Sequence, residues 1–220
     1  MNKGLRFLII TLSCFCLGQW VSQQSIYAQG TAEKKTPTNF ADYVGRFEAD
    51  PNMVENFIFD VFIEKDELWI KASHSVKRKL EVKSGDSFVI ADPGVPVKFT
   101  RDEKGMVLSL TVEGSEASGG RAVTARKLTL PAPSAKGTTT LHLKGYPNAR
   151  IVALAGSFND WNQSQLLCAK EQDGWACGID LKPGKYTYKF IIDGDWILDP
   201  DNANTEDDER GFTNSVLVVK

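Results

Sequence analysis

The sequence predicts an all-β protein built from two antiparallel units in series. Three observations predict it. Short runs of alternating apolar and polar residues recur from Asn39 onward, and turn residues interrupt them about every ten positions. Sustained helical periodicity is absent. A segment containing Pro131-Ala-Pro133 divides the pattern, because neither proline fits a central strand.

Composition bounds the function. A chain of 220 residues that is 42% hydrophobic and 25% charged has ordinary globular composition, which excludes disorder and collagen-like repeats. Its formal net charge of −2 gives no pull toward nucleic acid, whose binding wants a basic face. The 2 histidines, His74 and His142, restrict any chemistry that needs imidazole as base or metal ligand.

Residues 1–28 read as a secretory signal peptide. Lys3 and Arg6 precede the apolar run Phe7 to Gly18, and Ser25-Ile-Tyr-Ala28 closes the stretch. The apolar run falls short of the roughly 20 residues that span a bilayer. Cleavage near Ala28 is expected, giving a soluble exported product, periplasmic or secreted, with no membrane insertion. A lipid anchor on Cys14 or Cys16 is the lesser alternative, since Thr11-Leu-Ser13 before Cys14 lacks the usual leucine three residues upstream.

The first unit is placed at 39–129. Val76, Arg78, Leu80 and Val82 alternate with Lys77, Lys79, Glu81 and Lys83, as in a half-buried strand with one polar intruder. Met106, Leu108, Leu110 and Val112 alternate with Val107, Ser109 and Thr111 in the same way. Turn signals fall at Lys65-Asp66, Ser84-Gly-Asp86, Pro93-Gly94 and Lys104-Gly105. Their regular spacing suggests a sandwich or small barrel. The aromatic set Phe57, Phe59, Phe62, Trp69, Phe88 and Phe99 reads as core, with a pocket lining as the lesser alternative. His74 stands between Ser73 and Ser75, yet no Gly-x-Ser-x-Gly turn accompanies it, so a solvated turn is expected rather than a triad.

A linker is placed at 130–138. Residues 29–137 carry 16 basic and 16 acidic side chains and residues 138–220 carry 8 and 12, so the second unit holds the net negative charge.

In the second unit, 139–220, the signal sharpens. Ile151 to Trp161 is a strand ending in an Asn-Asp turn that delivers a tryptophan, and Gly174-Trp175 opens a return strand. Trp175 falls on the Cys177-Ile179-Leu181 face and is expected in the core. Tyr186, Tyr188, Phe190 and Ile192 share one face, opposite Lys185, Thr187, Lys189, Ile191 and Asp193. Asp193-Gly-Asp-Trp196 sets another tryptophan beside a hairpin turn. Turns lie at the surface, so Trp161 and Trp196 must either lie across the sheet or stay open to a ligand.

Cys168 and Cys177 flank the turn Glu171-Gln-Asp-Gly174, directly opposite each other or one step off register. A structural cross-strand disulfide is expected in an oxidising compartment, with two buried thiols as the alternative. No histidine lies near enough in sequence to suggest zinc. The acidic run Glu206-Asp-Asp-Glu209 lacks calcium-loop spacing, since Ala203 and Asn204 occupy the fifth and sixth positions of a loop begun at Asp199. A solvated loop is expected there.

Two family resemblances follow. Tyr43-Val-Gly-Arg-Phe47, Glu67-Leu-Trp-Ile-Lys71, Leu80 to Phe88, Val97 to Gly105 and Arg126-Lys-Leu128 resemble the small lipocalin-like domain found behind penicillin-recognising serine hydrolases. No catalytic residue travels with these motifs. More sharply, Ala155-Gly-Ser-Phe-Asn-Asp-Trp161, Pro183 to Phe190, Asp193-Gly-Asp-Trp196, Asp199-Pro200 and Asn214-Ser-Val-Leu217 resemble the glycogen-binding carbohydrate module. That module occurs in the β subunit of AMP-activated protein kinase and in glycogen branching enzymes. The fold implied is a lipocalin-like barrel followed by an immunoglobulin-like β-sandwich.

The second resemblance implies binding of α-1,4-glucan, polysaccharide or oligosaccharide, by tryptophan stacking on Trp161 and Trp196. It also implies hydrogen bonding of sugar hydroxyls by Lys189 and Asn214. Arg210 replaces an apolar residue that threads the glucan ring in the kinase subunit, and Phe212 replaces a threonine. No catalytic residues, cofactor or metal are expected, because neither unit shows a nucleophile with its base or a carboxylate pair across a cleft. The first barrel is expected to act as spacer or to contact another exported protein. The alternative function is a protein-interaction adaptor that has lost sugar binding.

Overall fold

A computed structural model describes residues 39–53, 57–114 and 119–220. The signal-peptide expectation falls on residues 1–28 and lies outside them. The described residues belong to one compact unit holding a barrel and a sandwich, and none of their helices is long and apolar enough to cross a membrane.

Eight strands close the barrel: β1 (Gly45–Ala49), β2 (Ile58–Glu64), β3 (Glu67–Ala72), β4 (Arg78–Ser84), β5 (Ser87–Ile90), β6 (Val95–Arg101), β7 (Val107–Val112) and β8 (Val123–Lys127). Each pairs antiparallel with the next, and β1 pairs with β8, so no edge is left to template aggregation. The expected turns connect them. Lys65 and Asp66 both take positive φ, 51° and 62°, between the paired Glu64 and Glu67, which is the backbone of a two-residue hairpin matched to strand twist.

The alternation at 106–112 is corrected by a bulge. Thr100 pairs with Ser109 but Arg101 with Val107, so Leu108 is an extra residue on β7 that shifts the inward set by one position. Val107, Leu110 and Val112 are buried while Met106 and Leu108 are exposed. Val76 likewise lies before β4 and is exposed, leaving Leu80 and Val82 to face the interior.

The aromatic set divides. Phe59, Phe88 and Phe99 fill the barrel. Phe62 and Trp69 pair across β2 and β3 on the outer face, Phe62 under the guanidinium of Arg150 at 3.5 Å and Trp69 under the ammonium of Lys77. Phe57 is only half-buried, packed against the edge of the core.

The sandwich stacks two sheets. One orders β10 (Val152–Gly156), β13 (Gly184–Ile192), β16 (Thr213–Val219) and β15 (Thr205–Asp207), with β14 (Asp195–Ile197) also on β13. The other orders β11 (Ala169–Lys170), β12 (Gly174–Ile179) and β9 (Thr139–Lys144). Leu143, Trp175 and Cys177 meet Leu154, Tyr188 and Phe190 between them. Trp175 is core, as its strand face requires. The pairing Ala169↔Ala176 sets Cys168 directly opposite Cys177, and the two are bridged, with Cα atoms 4.2 Å apart. Residues 130–138 hold no strand but follow the sandwich, with Ser134 N–H donating to Leu167 O and Gly178 N–H to Ser134 O.

A buried ion pair joins the barrel to the sandwich. Arg46 on β1 forks onto Asp60 on β2 at 2.8 and 2.9 Å, and its remaining nitrogen donates to Gln163 O at 3.0 Å. Arg46 is 1% exposed. A charge this deep is tolerable only because its partner carboxylate and the carbonyl satisfy the guanidinium donors.

Candidate functional site

The outer face of β10 and β13 carries Ala153, Ala155 and Ile191, residues flat enough for large rings to lie on. Two turns bring those rings. The first leaves β10 at Gly156, whose carbonyl accepts from Asn159 N–H and Trp161 N–H at 3.1 and 3.0 Å. Asn159 staples it from inside: Oδ1 accepts from Gly156 N–H, and Nδ2 donates to Leu154 O and Asn162 O. A Cβ at Gly156 would lie 2.4 Å from Thr187 O, so no larger residue fits there without movement. Asp160 and Trp161 both take left-handed φ, 51° and 59°. For a bulky side chain that conformation is strained, and such strain gathers at ligand sites.

The other turn joins β13 to β14. Asp193 and Gly194 take φ of 48° and 89° between the paired Ile192 and Asp195, so a glycine suits the second position. The Asp193 carboxylate accepts from Arg150 N–H and Ile151 N–H, both at 3.0 Å. From the barrel, Lys71 Nζ donates to Asp193 O and to Asp195. The hairpin that carries Trp196 is thus held on both sides.

Trp161 and Trp196 meet with centroids 6.2 Å apart and planes tilted by 40°. Both are half-buried, resting on the alanine face and bordering a cavity of about 740 Å³. Lys189 and Asn214 line the same cavity. Alternation along β13 turns Lys189 away from the core, and Asn214 stands one step beyond the Tyr188↔Ser215 pair. The four residues singled out in the sequence are therefore brought together. Asn214 is buried, its Nδ2 donates to Phe212 O at 3.0 Å, its side chain also bonds the Asp208 carboxyl, and the residue borders the cavity.

Asp208, Glu209, Arg210 and Phe212 line the cavity beside Lys189 and Asn214. Backbone N–H groups of Phe212 and Arg210, with Asn214, hold the Asp208 carboxyl below its ordinary value. Phe212 is exposed, and Lys189 Nζ lies 5.9 Å above its ring. The acidic run is exposed as expected, with Lys185 paired to Glu206 and Thr213 Oγ1 donating to Asp207. Behind the site, burial and the neighbouring Asp199 push the Tyr188 phenol up; its hydroxyl donates to Asp199 at 2.6 Å.

An open aromatic shelf ringed by polar side chains is suited to a pyranose, which offers C–H groups on its faces and hydroxyls around its edge. Comparison with known proteins agrees. Residues 139–220 match the glycogen recognition site of AMP-activated protein kinase. Families of glycogen-recognition modules are carbohydrate-binding and typically non-catalytic. Among proteins similar to this chain, the AMP-activated protein kinase subunit beta-1 of Rattus norvegicus is 36% identical over 69 residues, 31% of this chain and 24% of the relative. Subunit beta-2 of Mus musculus is 30% identical over 90 residues, 41% of this chain and 31% of the relative. The chloroplastic PTST homolog 2 of Arabidopsis thaliana is 35% identical over 75 residues, 34% of this chain and 14% of the relative. The chain spans well under half the length of these three relatives.

Two lining residues lie outside the matched residues 139–220, and the sequence reading gave them other places: Phe57 in the barrel core and His74 on a solvated turn. Phe57 and His74, from the barrel, border the same cavity. Neither carries a sequence signal for this role, because it arises from how the barrel packs on the sandwich.

Proposed function

We propose that this chain is an exported, non-catalytic protein that binds α-1,4-glucan, stacking glucose rings on Trp161 and Trp196. The observation that carries the reading is the half-exposed pair of indoles on one face with Lys189 and Asn214. Each stack removes apolar area from water at roughly 25 cal/mol per Å², and each hydroxyl bond contributes about 0.5–1.5 kcal/mol net. Two stacks and two or three polar contacts, less the ordering cost, give a dissociation constant on the order of micromolar to millimolar. Many sites along one polymer then raise retention through multivalency.

The bridged Cys168–Cys177 pair and the leader-like first 28 residues support export. Retention on immobilised amylose tests the function: wild type is retarded, and the Trp161→Ala/Trp196→Ala variant elutes with the void. Equal retention of the two would count against it. A second reading, a protein-interaction adaptor, is favoured by Phe212 exposed beside the acidic run; it predicts partner capture with no amylose retention.

A further inference from the structure

The cavity of about 740 Å³ is walled on one side by Phe57 and His74, which belong to the barrel. That volume sits in the upper part of the roughly 300–1,000 Å³ range that holds ligands of several rings. Phe57 stands just ahead of β2, its ring edge-on to Phe59 at 5.1 Å and 77°, half-buried and bordering the cavity.

His74 is carried on a tight turn at a left-handed φ of 57°. The turn is tied down by its neighbours. Ser75 Oγ donates to Ala72 O and accepts from Ala72 N–H. Ser73 N–H donates to Ile58 O, and Ser73 Oγ accepts from Ile58 N–H. An exposed histidine in a conformation uncommon for non-glycine residues is thus presented to the cavity by a fixed backbone. An aromatic face beside a group able to donate or accept repeats, on the barrel side, the chemistry that Trp161 and Asn214 supply on the sandwich side.

The barrel side also cannot drift from the sandwich side without cost. Arg46, forked onto Asp60, donates to Gln163 O, and Lys71 holds the Trp196 hairpin. A wall fixed before the ligand arrives adds affinity without a further ordering cost.

We propose that Phe57 and His74 form an additional sugar subsite continuous with the Trp161–Trp196 shelf, so that the chain favours longer glucans. The inference rests on the glucan reading above. It assigns the barrel a part in glucose-chain length selection.

Isothermal titration of the full chain with maltotriose and with maltoheptaose tests it. Wild type should bind maltoheptaose more tightly than maltotriose. Phe57→Ala/His74→Gly should lose about tenfold on maltoheptaose, the equivalent of one stack and one hydroxyl bond, and keep maltotriose affinity. Trp161→Ala/Trp196→Ala should lose both ligands. His74→Gly alone, where glycine takes the left-handed φ without strain, should lose about threefold on maltoheptaose; it serves if the Phe57 change unfolds the chain. Unchanged maltoheptaose affinity in the barrel variants, or equal loss on both ligands, overturns the subsite and leaves the glucan reading standing. Failure of wild type to bind either ligand, or wild-type binding by the tryptophan variant, overturns both.

Discussion

Substituting Arg46 by alanine removes the guanidinium that ties the barrel to the sandwich. The fork onto Asp60 at 2.8 and 2.9 Å and the bond to Gln163 O all disappear. What remains is the Asp60 carboxylate, with a side chain only 10% exposed and its charge uncompensated. Breaking a buried pair from one side costs about 3–5 kcal/mol, a large share of the roughly 5–15 kcal/mol by which folded domains are stable. Urea denaturation followed by tryptophan fluorescence measures it, since Trp161 and Trp196 report on the sandwich face. The paired replacement Arg46→Met/Asp60→Leu removes both charges and should come within about 2 kcal/mol of wild type, because hydrophobic replacement of buried pairs is often neutral. A loss under about 1 kcal/mol for Arg46→Ala, below even a surface pair's upper range, would refute the claim that this pair is a buried, dependent one.

Three further outcomes follow from the sandwich. Reducing the Cys168–Cys177 bridge, which closes a separation of 9 residues, should cost about 2.7 kcal/mol by loop entropy, seen as a lower urea midpoint with dithiothreitol present. Tyr188→Phe deprives buried Asp199 of its 2.6 Å donor and should cost about 1–3 kcal/mol, read in the same assay. The Asp208 carboxyl is held below its ordinary value of 3.8 by the N–H groups of Phe212 and Arg210. Its hold on the rim is therefore full above that value and is lost only as pH falls through the lowered one. Maltoheptaose affinity measured between pH 5 and 8 should not follow Asp208, and Asp208→Ala should weaken binding across that whole interval.

Much of this was legible from residues alone, for reasons that differ by element. Turn chemistry is local, so Lys65-Asp66 and Asp193-Gly194 announced their hairpins. Alternation is local as well, and it turned Lys189 away from the Tyr188 and Phe190 face. The bulge at Leu108 was hidden because an extra residue on β7 is visible only against its partner, Arg101 on β6. Phe62 and Trp69 read as barrel core because the sequence cannot say that Arg150 and Lys77 would cover them from outside. Phe57 and His74 were missed for a related reason: their place at the cavity depends on Arg46 and Lys71 reaching across to the sandwich. Asp60 and Lys71 lie close to Phe57 and His74 in the chain, but nothing local says that their contacts reach the sandwich.

The central claim is that two indoles on the outer sandwich face hold a glucose chain. Titrating maltoheptaose into the full protein while following intrinsic tryptophan fluorescence tests it most directly. The account predicts a saturable spectral change with a midpoint on the order of micromolar to millimolar, absent from the Trp161→Ala/Trp196→Ala variant although Trp175 remains in the core. A flat wild-type titration up to millimolar ligand, or an unaltered saturable change in the double variant, would contradict it.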